Sequence, residues 1–228
     1  MQYKSIIFDM DGTLLDSMGM WQQLDRRFLR ENGIEPPPDI SEIVKKMTVD
    51  TSSAYFVERF HLPMTAEQVK IRIEQLAAEA YQQDLPLKDG AADFLEALRI
   101  RRIPCAIASV TYPSLLEAAL ERLGVRQYFR FILTPESGTA GKHEPEIYLE
   151  TARRLGTSPA ETVVIEDALY AAETAAAAGF RTVGFRDDSA RTDWAALEAV
   201  CMKTVSHWSE LNTPAFLDCF AESPADCA

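Results

Sequence analysis

No apolar run in this 228-residue chain approaches the ~20 residues that a membrane-spanning helix requires, and its first residues enter a short strand-like pattern with no signal-peptide core. A soluble, cytoplasmic chain without a membrane partner is expected. Basic residues are scarce, with 23 Lys and Arg against 35 Asp and Glu and a formal net charge of −12. Such a field repels phosphate backbones and anionic lipid. No basic stripe with interleaved aromatics reverses it locally, so nucleic acid is not an expected partner. Cysteine is sparse too. Cys105, Cys201, Cys219 and Cys227 form no CxxC pair or zinc-like spacing, Cys105 lies in the apolar run Cys105-Ala106-Ile107-Ala108, and free thiols in a reducing compartment suit the set. Gly and Pro are not in excess, and 47% hydrophobic with 25% charged residues is the composition of a globular chain that can bury a sizeable core.

What is present is a set of short apolar runs: Ile6-Ile7-Phe8, Ala106-Ile107-Ala108, Phe131-Ile132-Leu133, Val163-Val164-Ile165, Thr182-Val183-Gly184-Phe185 and Lys203-Thr204-Val205. Each suits a buried strand. Helical periodicity lies between them, at Phe94, Leu95 and Leu98, at Leu115 to Leu123 closed by Gly124, and at Tyr148 to Leu155 closed by Gly156. Ser114 with Glu117, and Ser158 with Pro159 and Glu161, read as capped helix starts. Alternation of this kind predicts a parallel sheet covered on both faces. The segment from Met18 to about Lys88 breaks the rhythm, with helical spacing (Trp21, Leu24, Phe28; Val69, Ile73, Leu76, Ala80) and no strand pattern. It reads as a helical insertion, with Pro36-Pro37-Pro38 as an internal turn and Leu85-Pro86-Leu87 as the return. The end from Pro214 to Ala228 is expected to be a loosely held tail.

Polar residues with chemical potential stand where the apolar runs stop. Asp9 and Asp11 follow the first, Ser109 the second, and Glu166 with Asp167 the fourth, while Lys142 follows the third at a longer remove. In an open α/β sheet the carboxyl ends of the strands border the ligand crevice. Carboxylates gathered there would repel one another unless a cation joins them, and hard oxygen ligands favour Mg²⁺.

In their order these residues resemble the four motifs of the haloacid dehalogenase superfamily. Asp9-Met10-Asp11-Gly12-Thr13 matches the first, Ser109 the second, Lys142 the third and Glu166-Asp167 the fourth, over about Lys4 to Trp208. The resemblance implies that Asp9 is a nucleophile forming an aspartyl-phosphate. Asp11 would be the general acid and then the base. Asp9, the backbone carbonyl of Asp11 and Asp167 would hold Mg²⁺, with Glu166 as a ligand or beside one. Lys142 and Ser109 would grip the phosphoryl oxygens, and Gly12 would donate an amide to the substrate. Blander readings stand beside these: a turn or cap at Asp9 and Asp11, a helix cap at Ser109 or Glu166, and a solvated loop lysine at Lys142. The fourth motif departs from the family in Ala168 and Ala171, and the third in His143.

Asp11 argues against the family's dehalogenases and phosphonatases, which lack it. Trp21 and the stretch Lys46-Met47-Thr48-Val49-Asp50 stand where β-phosphoglucomutases carry a histidine and an arginine-rich loop, which favours hydrolysis. The expected fold is therefore an α/β, Rossmann-like parallel sheet core (1–17 and 86–212) with a helical cap (18–85) and a tail (213–228). The expected activity is Mg²⁺-dependent hydrolysis of a small phosphorylated metabolite. A mutase, or a phosphate-binding switch without turnover, is the alternative. Met20, Trp21, Lys46 and Thr48 are candidate substrate contacts of the cap, each with cap packing or plain exposure as its other reading. The sequence carries no signal of oligomeric state, and a monomer is the default.

Overall fold

The computed structural model describes residues 2–44, 47, 49–135 and 141–220, and within it two compact units, one formed by Ser17–Leu85 and the other by the segments on either side of it. In chain order the elements are β1 (Ser5–Phe8), then α1 (Met18–Glu31), α2 (Ile40–Val44), α3 (Val49–Phe60) and α4 (Ala66–Gln83) of the inserted unit. The chain returns through α5 (Ala91–Ile100), β2 (Cys105–Ala108), α6 (Pro113–Arg122), β3 (Ile132–Leu133), α7 (Glu146–Leu155) and β4 (Thr162–Glu166). It closes with α8 (Leu169–Ala177), β5 (Arg181–Phe185), α9 (Trp194–Val200), β6 (Lys203–Val205) and α10 (Pro214–Leu217).

Among the described residues the strands form one six-stranded parallel sheet in the order β3-β2-β1-β4-β5-β6. Alternation along β1 sends its side chains to opposite faces. Ile7 packs with Ala106, Val164, Ile147, Tyr148 and Leu155 on one side, while Phe8 meets Phe94, Phe129 and Trp208 at ring-centroid distances of 5.8–6.3 Å on the other. Both faces are covered, which is why the strand runs are continuously apolar rather than alternating. At Gly184 a Cβ would lie 2.6 Å from Leu197 Cγ, so only glycine lets α9 approach β5 this closely.

The inserted unit has its own core of Leu24, Phe28, Phe56, Val69, Ile73 and Leu76. Its longest helix, α4, starts with a capping box between Thr65 and Gln68.

Local expectations fail in three places. Ser114 does not cap a helix, because α6 begins one residue earlier at Pro113, whose fixed φ suits a first helical position. The box between Ser158 and Glu161 does form, but it opens a single 3₁₀ turn, since the β-branched run from Thr162 enters β4 at once. The expected loose tail is held as far as Phe220. Phe216, Leu217 and Phe220 are buried, the Tyr3 amide donates to the Cys219 carbonyl at 2.8 Å, and the Tyr3 and Phe220 rings meet edge-on at 5.6 Å. Cys227 lies outside the described residues.

Candidate active site

The strand order explains where the acidic residues meet. The chain goes from β1 to β2 and β3 on one side of the sheet, then crosses to β4 on the other, so the switch in direction falls at the carboxyl ends of β1 and β4. A crevice opens at such a point because the connections diverge from it. The pairing Phe8↔Ile165 continues through a hydrogen bond from the Asp9 amide to the Ile165 carbonyl at 2.9 Å, which sets Asp9 beside Glu166 and Asp167. Lys142 comes in from the β3-to-β4 crossover, in a 3₁₀ turn just ahead of α7.

All four of these side chains are buried. The Lys142 ammonium donates to Asp9 Oδ1 and, at 2.6 Å, to Glu166 Oε1, which also accepts the Tyr148 hydroxyl at 2.6 Å. Thr13 donates to Asp167 Oδ1 at 3.4 Å. One cation for three carboxylates leaves the cluster short of positive charge, and the proton affinities record it. Burial lifts the Asp9 carboxyl above its usual range against the pull of Lys142, pushes Glu166 up to about 7, and raises Asp167 strongly with help from the Asp9 and Glu166 charges. Lys142 is raised in turn, because the two carboxylates outweigh the burial that would discharge it.

The donor set fits a divalent cation. Asp9, Glu166 and Asp167 each offer a carboxylate oxygen, these atoms lie within 4.8 Å of one another, and Asp9 Oδ2 is buried with no hydrogen-bond partner among the described residues. Hard anionic oxygens in this number suit an ion of the Mg²⁺ type.

The remaining expected residues divide. Asp11 is half-buried and accepts the Thr111 hydroxyl on Oδ2 at 2.7 Å. Ser109 is buried, and its Oγ accepts the Thr111 amide at 3.2 Å, so it serves the turn after β2 rather than capping α6, and its hydroxyl proton is left for a further acceptor. Glu166 does not cap α8 either, which begins after Ala168. Gly12 departs from expectation: its amide donates to the Leu15 carbonyl at 3.0 Å, not toward the crevice, and its φ of 84° is the reason a glycine stands there. Trp21 donates its indole N–H to the Tyr81 hydroxyl at 3.2 Å and packs with Met20 against the core of the inserted unit. Lys46 and Thr48 lie outside the described residues.

Two residues escaped the sequence reading. Tyr148 passed as one position of a helical period, although a tyrosine six residues after Lys142, on the same crossover, is a hydroxyl aimed at the same crevice. Thr111 is found only from the register: the pairing Phe8↔Ile107, continued past the strand ends, brings Asp11 beside Val110 and Thr111.

A family model for haloacid dehalogenase-like hydrolases matches residues 3–179. A phosphorylated carbohydrates phosphatase from Thermotoga maritima is 27% identical over 209 residues, covering 92% of this chain and 97% of that protein. Among solved structures, one from Thermotoga maritima assigned provisionally as a β-phosphoglucomutase matches with a TM-score of 0.79 at 27% identity, over 92% of this chain and 97% of the other. A HAD-family hydrolase from Deinococcus radiodurans, solved with bound phosphate and sodium, matches with a TM-score of 0.73 at 25% identity, over 97% of this chain and 99% of the other.

Proposed function

The chain belongs to the haloacid dehalogenase-like hydrolases, and we propose that it is a phosphatase that hydrolyses a small phosphomonoester through an aspartyl-phosphate on Asp9. One observation carries the reading. The buried Asp9 carboxylate has Oδ1 held by Lys142 while Oδ2 meets no donor among the described residues, an arrangement that a turn or capping aspartate has no use for. Lys142 opposes the effect of burial on Asp9 and so favours the ionised form that a nucleophile needs.

In the first step the Asp9 carboxylate attacks phosphorus, the bond from phosphorus to the ester oxygen breaks, and Asp11 gives its proton to that oxygen. In the second, Asp11 takes a proton from water as the water oxygen attacks the same phosphorus, and Asp9 leaves as a carboxylate. Lys142 and the Ser109 hydroxyl hold the phosphoryl oxygens as their charge redistributes. Asp9, Glu166, Asp167 and the Asp11 carbonyl would hold Mg²⁺, whose chemistry when bound is to neutralise charge on the transferring group. The carbohydrate phosphatase from Thermotoga maritima makes phosphorylated sugars the first substrate class to try.

The test is phosphate release with Mg²⁺ across a panel of sugar, polyol and nucleotide monoesters. Turnover should fall by more than about 10³-fold in Asp9→Asn, the scale expected when a nucleophile is removed. A variant within a few fold of wild type would overturn the mechanism. The relative assigned as a β-phosphoglucomutase keeps a second reading in view. Glucose 6-phosphate appearing from β-glucose 1-phosphate without free phosphate would establish it.

A further inference from the structure

Thr111 stands two residues beyond Ser109, in the turn between β2 and α6. Its position is set from the sheet outward. The Ser109 amide donates to the Leu133 carbonyl at 3.1 Å, extending the β2–β3 pairing. Ser109 Oγ then accepts the Thr111 amide at 3.2 Å, a side-chain turn that fixes the backbone of Thr111. The Thr111 hydroxyl, so placed, donates to Asp11 Oδ2 at 2.7 Å. Asp11 itself leaves β1 by three residues, in a loop that turns at Gly12, and is half-buried there.

We propose that Thr111 is a positioning residue for Asp11. Its hydroxyl holds the carboxyl in one rotamer and occupies Oδ2 as an acceptor, so that the proton delivered to the departing ester oxygen is carried on Oδ1. The same bond steadies the carboxylate when it acts as base toward water. The proposal rests on the phosphatase reading above, with Asp11 as general acid. It adds that the second motif contributes to proton transfer through Thr111 as well as to phosphate binding through Ser109.

A leaving group that needs a proton discriminates between positioning and mere structural support. Phenyl phosphate needs one; 4-nitrophenyl phosphate, whose phenolate is stable, needs it far less. The quantity to compare is kcat/KM, which reports the step that breaks the ester bond, in wild type, Thr111→Val, Thr111→Ser and Asp11→Asn, each checked by its thermal melt. Thr111→Val should lose about tenfold on phenyl phosphate and less than about twofold on 4-nitrophenyl phosphate, with Thr111→Ser within about threefold of wild type on both, the scale of one hydrogen bond to a charged group within a general-acid effect. Equal losses on the two esters, no loss on either, or a serine variant as impaired as the valine one would overturn the proposal. Asp11→Asn separates that failure from a deeper one. If it shows the split between esters and Thr111→Val does not, the positioning role alone falls; if Asp11→Asn shows no split, the general-acid reading falls and the proposal with it.

Discussion

Lys142 in the sheet unit and Arg72 in the inserted helical unit each stand between two carboxylates. Lys142 bonds Asp9 and Glu166; Arg72 bonds Glu31 through Nε and Nη2 at 3.0 and 3.1 Å, and Glu79 through Nη1 at 2.9 Å. By geometry the arginine has the better set. The difference is burial, since the Lys142 side chain is 3% exposed and that of Arg72 31%. An exposed pair exchanges water for protein contacts at little net gain, whereas ions taken into an interior lose hydration worth several kcal/mol each. A buried cluster carries a cost that exposed pairs do not, so burial, and not the number of ion pairs, is what supports the proposed site.

The largest expected effect follows from removing the buried cation. Lys142→Met, close in length and without charge, leaves Asp9 and Glu166 facing each other in the interior. Urea unfolding with a metal chelator present should show a loss of about 3–5 kcal/mol, the usual result of breaking a buried pair on one side. Phosphate release should fall with it, since Lys142 also serves the phosphoryl oxygens in the proposed reaction. Unchanged stability would mean that the carboxylates shed their charge without penalty, and the contrast with Arg72 would lose its basis.

Asp25, in α1, sharpens the comparison from the other side, because it is a half-buried carboxyl that no described residue compensates as Lys142 does Asp9. Burial pushes it up to about 6 from an ordinary 3.8. The folded chain therefore keeps a proton that the unfolded chain releases, and the stability this confers is complete below pH 3.8 and lost as pH rises through 6. The full displacement corresponds to about 3 kcal/mol, and partial exposure reduces it to about 1–2 kcal/mol. Asp25→Asn should accordingly be the more stable form at pH 7 by that amount, with the difference closing toward pH 4, as read from urea midpoints across the range. A difference independent of pH would assign the effect to packing instead of charge.

Much of this was legible in the sequence, for identifiable reasons. The strand runs are short, apolar and β-branched because both faces of the sheet are covered, so each run announced its strand. Asp9, Lys142, Glu166 and Asp167 could be named because each follows such a run, and the structure brings the four together. What linear order does not carry is lateral position: nothing in residues 5–8 says that β4 lies beside β1, or that the β2 register brings Thr111 to Asp11. Turn chemistry misled in the other direction, as Ser114 and Gly12 show. A capping residue and a glycine each have several uses, and the neighbouring Pro113 and the positive φ decided between them.

Arg72 closes the series with the smallest effect and the most direct control. Arg72→Met removes contacts to Glu31 and Glu79, as Lys142→Met removes contacts to Asp9 and Glu166, so the two substitutions delete like sets of bonds from unlike surroundings. Glu79 keeps a second partner in Arg27 at 2.8 Å, and both carboxylates recover water on the surface. The melting temperature should move little, and what movement there is should shrink when salt is added, because exposed charges are screened. The paired melts of Arg72→Met and Lys142→Met at low and high salt read the comparison as a whole. A large, salt-insensitive loss at Arg72 would show that the bidentate geometry, and not burial, sets the strength of both clusters, whereas a small and screened one leaves desolvation as the quantity that separates the proposed site from a solvated helix face.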